Sequence, residues 1–281
     1  MNPDQFLPLF AAALAAGALG SALGMAGGIF VVPILTLFAG ATFPVAVAVS
    51  LISVIACSCA SAGPFLAAGL TNLRLAVVLE VATALGALVG LLMIGAFPAR
   101  ILFGIFAGVL VVSAFQMLLG RRASDPRSSD RADQRLRLTS SYTDRGVTVD
   151  YRVSRVPLGL SFMFGAGLLS ALLGIGSGVL KIPAMDAAMR LPLKVSSATA
   201  NLTIGVTACG TAAAYLLAGT VDLALTTPIV LGSLAGALLG ARILVRMAGP
   251  ALRIGFVVVL FALAVPMTMS AFGVTVFGAA S

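Results

Sequence analysis

Two short glycine clusters are where this sequence offers chemistry: Gly24-Met25-Ala26-Gly27-Gly28 and Gly174-Ile175-Gly176-Ser177-Gly178. Each interrupts an apolar stretch and precedes a short apolar piece that contains a proline, Pro33 or Pro183. The first backbone N–H groups of a helix have no partner inside it and form a positive dipole end, which suits an anion. Glycines in such places also serve close helix packing. The following proline, and a next piece too short to cross a bilayer, favour the binding role over the packing one.

Lys181 lies three residues beyond Gly178, at a position occupied by Val31 in the first cluster's surroundings. A lysine at membrane depth is costly unless it is paired or used, so Lys181 is a candidate cation for a bound anion, with snorkelling to an interface as the plain alternative. Glu80 is the only acid within an apolar stretch of the first half. It can pair with Arg74, face a pore or carry a coupling proton, and structural pairing is favoured. Asp186 is expected at the cytoplasmic side beside Arg190.

Hydroxyls supply a third polar set. Ser53, Cys57 and Ser61 recur at helical spacing, as do Thr199, Thr203, Thr207 and Thr211, with Ser50, Ser196, Ser197 and Asn201 on the same two segments. Such stripes either bond neighbouring helices or line an oxyanion path with neutral donors that let the ion leave. The candidate binding set is Gly24, Gly27, Gly28, Gly174, Gly176, Ser177, Gly178, Lys181, Ser53, Thr199, Asn201 and Thr203, with Glu80 as coupling candidate.

The elements that must position these residues are membrane helices. The chain has 281 residues, 60% hydrophobic and 9% charged, with a mean hydropathy of +1.14, whereas soluble domains carry roughly 25% charged residues. The start lacks a basic n-region, so no signal peptide is expected. The net charge is +8, and the positive residues sit mainly between Arg121 and Arg155, where they read as an orientation signal and not as a nucleic-acid footprint. There is no histidine, which excludes a Ser–His pair. A Ser177–Lys181 dyad at i, i+4 is the one enzymatic alternative and a weak one. Glu80 and Asp186 are too few and too separated for a cation or metal path, no cofactor is implied, and Cys57, Cys59 and Cys209 suggest no disulfide.

A shift of 150 positions pairs Gly24 with Gly174, Gly28 with Gly178, Pro33 with Pro183, Gly69 with Gly219, Gly86 with Gly236 and Gly90 with Gly240. That persistence marks a duplication. The first half, 1–120, divides into apolar pieces over 6–23, 29–39, 44–68, 74–95 and 99–119. The second, 156–281, divides into 156–173, 179–189, 194–217, 223–243 and 251–270. The pieces at 29–39 and 179–189 are too short to span and predict broken or re-entrant helices. Between the halves, 121–155 carries nine arginines and five acids and is expected to be a cytoplasmic linker, partly disordered by composition, although the alternation around Asp144-Arg145-Gly146 also suits a hairpin.

Loop charges test the topology. With the linker in the cytoplasm, an even number of passes in each half's opening segment places Arg74, Arg190, Lys194, Arg242, Arg246 and Arg253 inside and leaves only Arg100 outside. A single pass puts most of them outside. The predicted fold is therefore an all-α polytopic membrane protein of two inverted repeats, each a glycine-broken or re-entrant helix plus three transmembrane helices, with both termini outward. Eight simple crossings are the alternative.

These residues resemble the TauE/SafE sulfite exporter family, also called the toluene sulfonate uptake permease family. The carriers are Gly174 to Gly178 followed by Pro183, then Leu191-Pro192-Leu193-Lys194 leading to Ala198-Thr199, with a weaker copy at Gly24 to Pro33. The resemblance implies a multi-pass inner-membrane transporter, not an enzyme, that moves sulfur-containing anions such as sulfite or organosulfonates. A passive anion channel is the alternative. Its partners would be the lipid bilayer and a small anion, with a homodimer as a further option and no nucleic acid. Ser177 at a usual glycine, Met25 and Ala26 in the first cluster, and Lys181 at a usually apolar place depart from the family pattern.

Overall fold

A computed structural model describes residues 3–93, 138–144, 147–173, 177–247 and 249–271, with isolated residues between 104 and 115. Most of the expected helix over 99–119, the linker residues 121–137 and Gly174 to Gly176 lie outside the described residues.

The elements follow the apolar pieces closely. The first half contains α1 (Pro3–Leu23), α2 (Gly28–Phe38), α3 (Phe43–Ala67) and α4 (Leu73–Leu92). The second contains α5 (Val156–Leu173), the short α6 (Gly178–Pro183), α7 (Leu193–Leu217), α8 (Leu223–Arg246) and α9 (Gly249–Ala271). Directly after Pro183, which has no N–H to donate, the chain widens into one π-helical turn over Ala184–Ala188. Among the described residues five helices, α1, α3, α4, α7 and α8, are long and apolar enough to cross a membrane. The chain is a multi-pass membrane protein.

Helix ends are set by residues that the duplication kept. Gly69 and Gly219 take left-handed φ of 65° and 67° just past α3 and α7, where a side chain would be strained. Their N–H groups donate to Leu66 O and Leu216 O, both at 3.0 Å, which satisfies carbonyls that α3 and α7 leave open. Three residues further on, Asn72 and Asp222 cap the next helices: Asn72 Oδ1 accepts from Leu75 N at 3.1 Å and Asp222 Oδ1 from Ala224 N at 2.8 Å.

The halves are knitted by glycine contacts that obey the same shift. A Cβ on Gly86 would strike the Phe164 carbonyl, and one on Gly236 would strike the Leu14 carbonyl. Gly90 faces Leu168 as Gly240 faces Ala18, and Gly167 faces Thr83 as Gly17 faces Ser233. In each case adding or subtracting 150 converts one contact into the other, so the halves are related by a pseudo-two-fold. These glycines let α1 lie backbone to backbone on α8, and α4 on α5, each pair running parallel. α4 and α7 also run parallel, since Asn72 N meets Thr199 Oγ1 and Glu80, eight residues on, meets Thr207.

Among the described residues, the linker contributes the one departure from an all-α fold. Ser140–Asp144 and Val147–Tyr151 form an antiparallel hairpin, β1 and β2, as the alternation in this part of the linker suggests. It is held down by Asn72 Nδ2, which donates to Leu138 O at 2.8 Å and to Tyr151 Oη at 3.0 Å. Leu138, Tyr151 and Val153 are buried in this contact region, which supplies the apolar burial that composition alone did not promise.

Candidate functional site where the helix breaks meet

The first glycine cluster ends α1 and starts α2 with an abrupt reversal. Gly24, Ala26 and Gly27 all have left-handed φ, of 82°, 51° and 72°, and Met25 N reaches back to Gly20 O at 2.7 Å. Ala26 holds that conformation with a Cβ, at a cost of order 1–2 kcal/mol. α2 then runs back beside α3, where Ser50 Oγ donates to Gly28 O at 2.8 Å.

Two neighbours close on this tip, both from the second half. A Cβ on Gly24 would lie 2.6 Å from the Ser197 Cα, and one on Gly178 would lie 3.2 Å from the Met25 Cα. The first cluster therefore packs against Ser197 of α7 and against Gly178, the described end of the second cluster. Asn201, one turn beyond Ser197, ties the arrangement together. Its Nδ2 donates to Ser21 Oγ at 3.3 Å and Ser21 O at 3.4 Å, while its backbone carbonyl accepts from Ser58 Oγ at 2.7 Å.

The polar atoms around this junction are not all satisfied. Ser177 Oγ, Ser196 Oγ, Ser197 Oγ and Asn201 Oδ1 are buried with no hydrogen-bond partner among the described residues. Leaving such a group bare costs roughly 1–3 kcal/mol, and native proteins keep few of them without a reason. The Ser177 and Ser197 hydroxyls, beside a backbone with almost no side chains, form a place that a small oxyanion can satisfy.

A second polar cluster lies on another face of α7. Lys181 Nζ donates to Glu80 Oε2 at 2.7 Å and to Thr207 Oγ1 at 2.9 Å, and Thr207 makes a very short bond to Glu80 Oε1. Lys181 is 1% exposed and Glu80 12%. Glu80 and Thr203 line a cleft of 330 Å³ between α4 and α7, walled otherwise by Leu73, Val77, Val81, Leu202 and Val206. The pair joins α4 of the first half to α6 of the second and leaves the cluster without net charge.

The structure thus sorts the sequence candidates. Gly24, Gly27, Gly28, Ser177, Gly178 and Asn201 gather at the junction of the breaks. Gly174 and Gly176 lie outside the described residues. Thr203, Lys181 and Glu80 belong to the α4–α7 cluster, and Thr199 accepts from Asn72 N at 3.2 Å. Glu80 meets Lys181 where pairing with Arg74 was expected, and Asp186 meets Arg253 at 3.4 Å. Ser53 donates to Ser233 Oγ at 2.8 Å and Cys57 to the Ser233 carbonyl at 3.3 Å, which makes that stripe a contact between α3 and α8. The Ser177–Lys181 dyad does not form, since Lys181 Nζ is held by Glu80 and Thr207. Ser21 and Ser197 were missing from the candidate set. Ser21 lies one turn before the first glycine break and Ser197 on the helix that faces it, a link visible only once α1 and α7 are known to touch.

Among the described residues no group of three or more His, Cys, Asp or Glu side chains is placed to hold a metal ion. No solved structure matches the chain. It is 27% identical over 251 residues to a probable membrane transporter protein, YunE of Bacillus subtilis (strain 168), across 85% of this chain and 88% of that protein. A family model described as the sulfite exporter TauE/SafE matches residues 9–267, which spans both halves and the linker. The chain belongs to the TauE/SafE sulfite exporter family.

Proposed function

We propose that the chain is a secondary transporter of the inner membrane that exports small sulfur-containing anions, sulfite or organosulfonates, and binds them where the two glycine breaks meet. One observation carries this reading: Gly24 and Met25 of one half pack on Ser197 and Gly178 of the other, beside buried hydroxyls with no partner among the described residues. Broken-helix tips that meet at a repeat interface are the usual substrate site of repeat-built transporters. The family's printed description names sulfite export, and that of the relative names membrane transport.

Helix directions support an inverted relation of the halves, with α1–α2 as a re-entrant pair. α1 turns back into α2 at Gly24 to Gly27, and α2 runs against α3. α3 and α7 each reverse through a tight turn into α4 and α8. Because α4 is parallel to α7, α1 to α8 and α5 to α4, every second-half helix among these runs opposite to its first-half equivalent. Inside such a frame, Glu80 is the group best placed to carry a coupling proton. Protonating it would leave Lys181 as an uncompensated cation as the anion enters, so the charge carried across is smaller.

The test is ligand stabilisation of the purified chain. Sulfite or a simple organosulfonate is expected to raise its apparent melting temperature with saturating concentration dependence, by mass action. Replacing Ser197 by valine is expected to remove the effect. No response to any sulfur oxyanion overturns the substrate class.

A further inference from the structure

We infer that Asn201 is a specificity determinant: it selects a singly charged oxyanion that carries a hydrogen-bond donor of its own, such as hydrogen sulfite or a hydroxy-substituted sulfonate. This rests on the break-tip site proposed above. Asn201 is fully buried, at 0% exposure, and its amide orientation is fixed by its neighbours. The Ser21 carbonyl can only accept, so the nitrogen that reaches it at 3.4 Å is Nδ2. The other end, Oδ1, is then an acceptor, and it has no partner among the described residues.

A bare acceptor is a poor lining for an anion site. Fully deprotonated oxyanions present only acceptors, so beside Oδ1 they would repel it and leave its desolvation cost standing. A ligand whose oxyanion end takes the Ser177 and Ser197 hydroxyls and whose O–H faces Asn201 Oδ1 satisfies all three. Charge points the same way. Lys181 is closed on Glu80 at 2.7 Å, so the junction depends on neutral donors. Born cost grows as the square of the charge, which makes a dianion about four times harder to desolvate than a monoanion. The first-half equivalent of Asn201 is Leu51. The acceptor is therefore present once, and the pseudo-two-fold does not offer the ligand a second orientation.

Matched ligand pairs test this on the full chain without any variant. By calorimetry, 2-hydroxyethanesulfonate is expected to bind at least about tenfold tighter than ethanesulfonate, and glycolate tighter than acetate, because only the hydroxylated member satisfies a buried acceptor. In Asn201→Leu, which installs the residue of the other half, the preference within each pair is expected to vanish. Equal affinities within both pairs in the natural chain overturn the inference, as does an undiminished preference in Asn201→Leu. Should neither sulfonate bind while glycolate still exceeds acetate, the sulfur substrate class falls and the role of Asn201 stands. Binding of none of the four removes both.

Discussion

Removing one member of the Glu80–Lys181 pair should unbalance the bundle more than removing both. At 2.7 Å and an effective dielectric of 20, the gross attraction is about 6 kcal/mol. Most of it offsets the desolvation of two buried charges, so the net value of the pair is small, whereas a lone buried charge is exposed to the full cost. Lys181→Met leaves Glu80 and Thr207 without their cation, and Glu80→Gln leaves Lys181 with only a hydroxyl and an amide oxygen. Each single change is expected to lower the unfolding free energy by about 3–5 kcal/mol. The double change Glu80→Gln/Lys181→Met should recover a large part of that, giving a coupling energy of at least about 1 kcal/mol in a double-mutant cycle. Denaturant unfolding in a fixed detergent, followed by circular dichroism, measures all four proteins. If the single changes cost under about 1 kcal/mol, or if their effects simply add, the charges are not coupled as described.

Other perturbations reach the frame around this pair. Gly236→Ala drives a methyl into the Leu14 carbonyl and should destabilise strongly, while Gly63→Ala in α3, where nothing lies within 4 Å, should be neutral or gain up to about 1 kcal/mol in a thermal scan. Ala26→Gly relieves a left-handed alanine of φ 51° and should raise stability by about 1 kcal/mol, part of the relief being offset by a more flexible unfolded chain. Tyr151→Phe removes the bond from Asn72 and should make the linker hairpin more susceptible to limited proteolysis, by about 1 kcal/mol of local stability. Burial holds the Tyr151 phenol above its ordinary 10.0. The folded hairpin therefore keeps the proton longer than the unfolded chain, and its stability falls as pH rises past 10.0, a dependence that Tyr151→Phe should abolish.

Much of this architecture was legible because packing constrains residue size. Gly86 and Gly236, Gly90 and Gly240, and Gly69 and Gly219 survive in both halves since each faces a carbonyl or a left-handed turn in which a side chain does not fit. The Glu80–Lys181 pair was not legible for the opposite reason. Its members are 101 residues apart, and their equivalents, Val230 and Val31, are apolar, so the duplication gave neither a partner. The hydroxyls of α7 misled in a related way. Thr199, Thr203 and Thr207 form one stripe, whereas Ser197 and Asn201 lie roughly 200° around the helix from Thr199 and Thr203, at 100° per residue. Helical spacing separates these faces, but only the packing of α1 on one and α4 on the other says which meets the breaks. The hairpin was legible in the alternation of its residues, but its anchoring was not, because Leu138, Tyr151 and Val153 find their burial against distant parts of the chain.

The central claim is that a small sulfur oxyanion crosses the membrane through the junction of Gly24 to Gly28 with Ser177, Gly178 and Ser197. The most direct measurement is flux of radiolabelled sulfite into proteoliposomes holding the full chain, with an imposed pH gradient. The account predicts saturable flux that the gradient drives, that Ser197→Val abolishes and that Glu80→Gln uncouples from the gradient. Flux that rises linearly with concentration, ignores the gradient and is unchanged in Ser197→Val would contradict it.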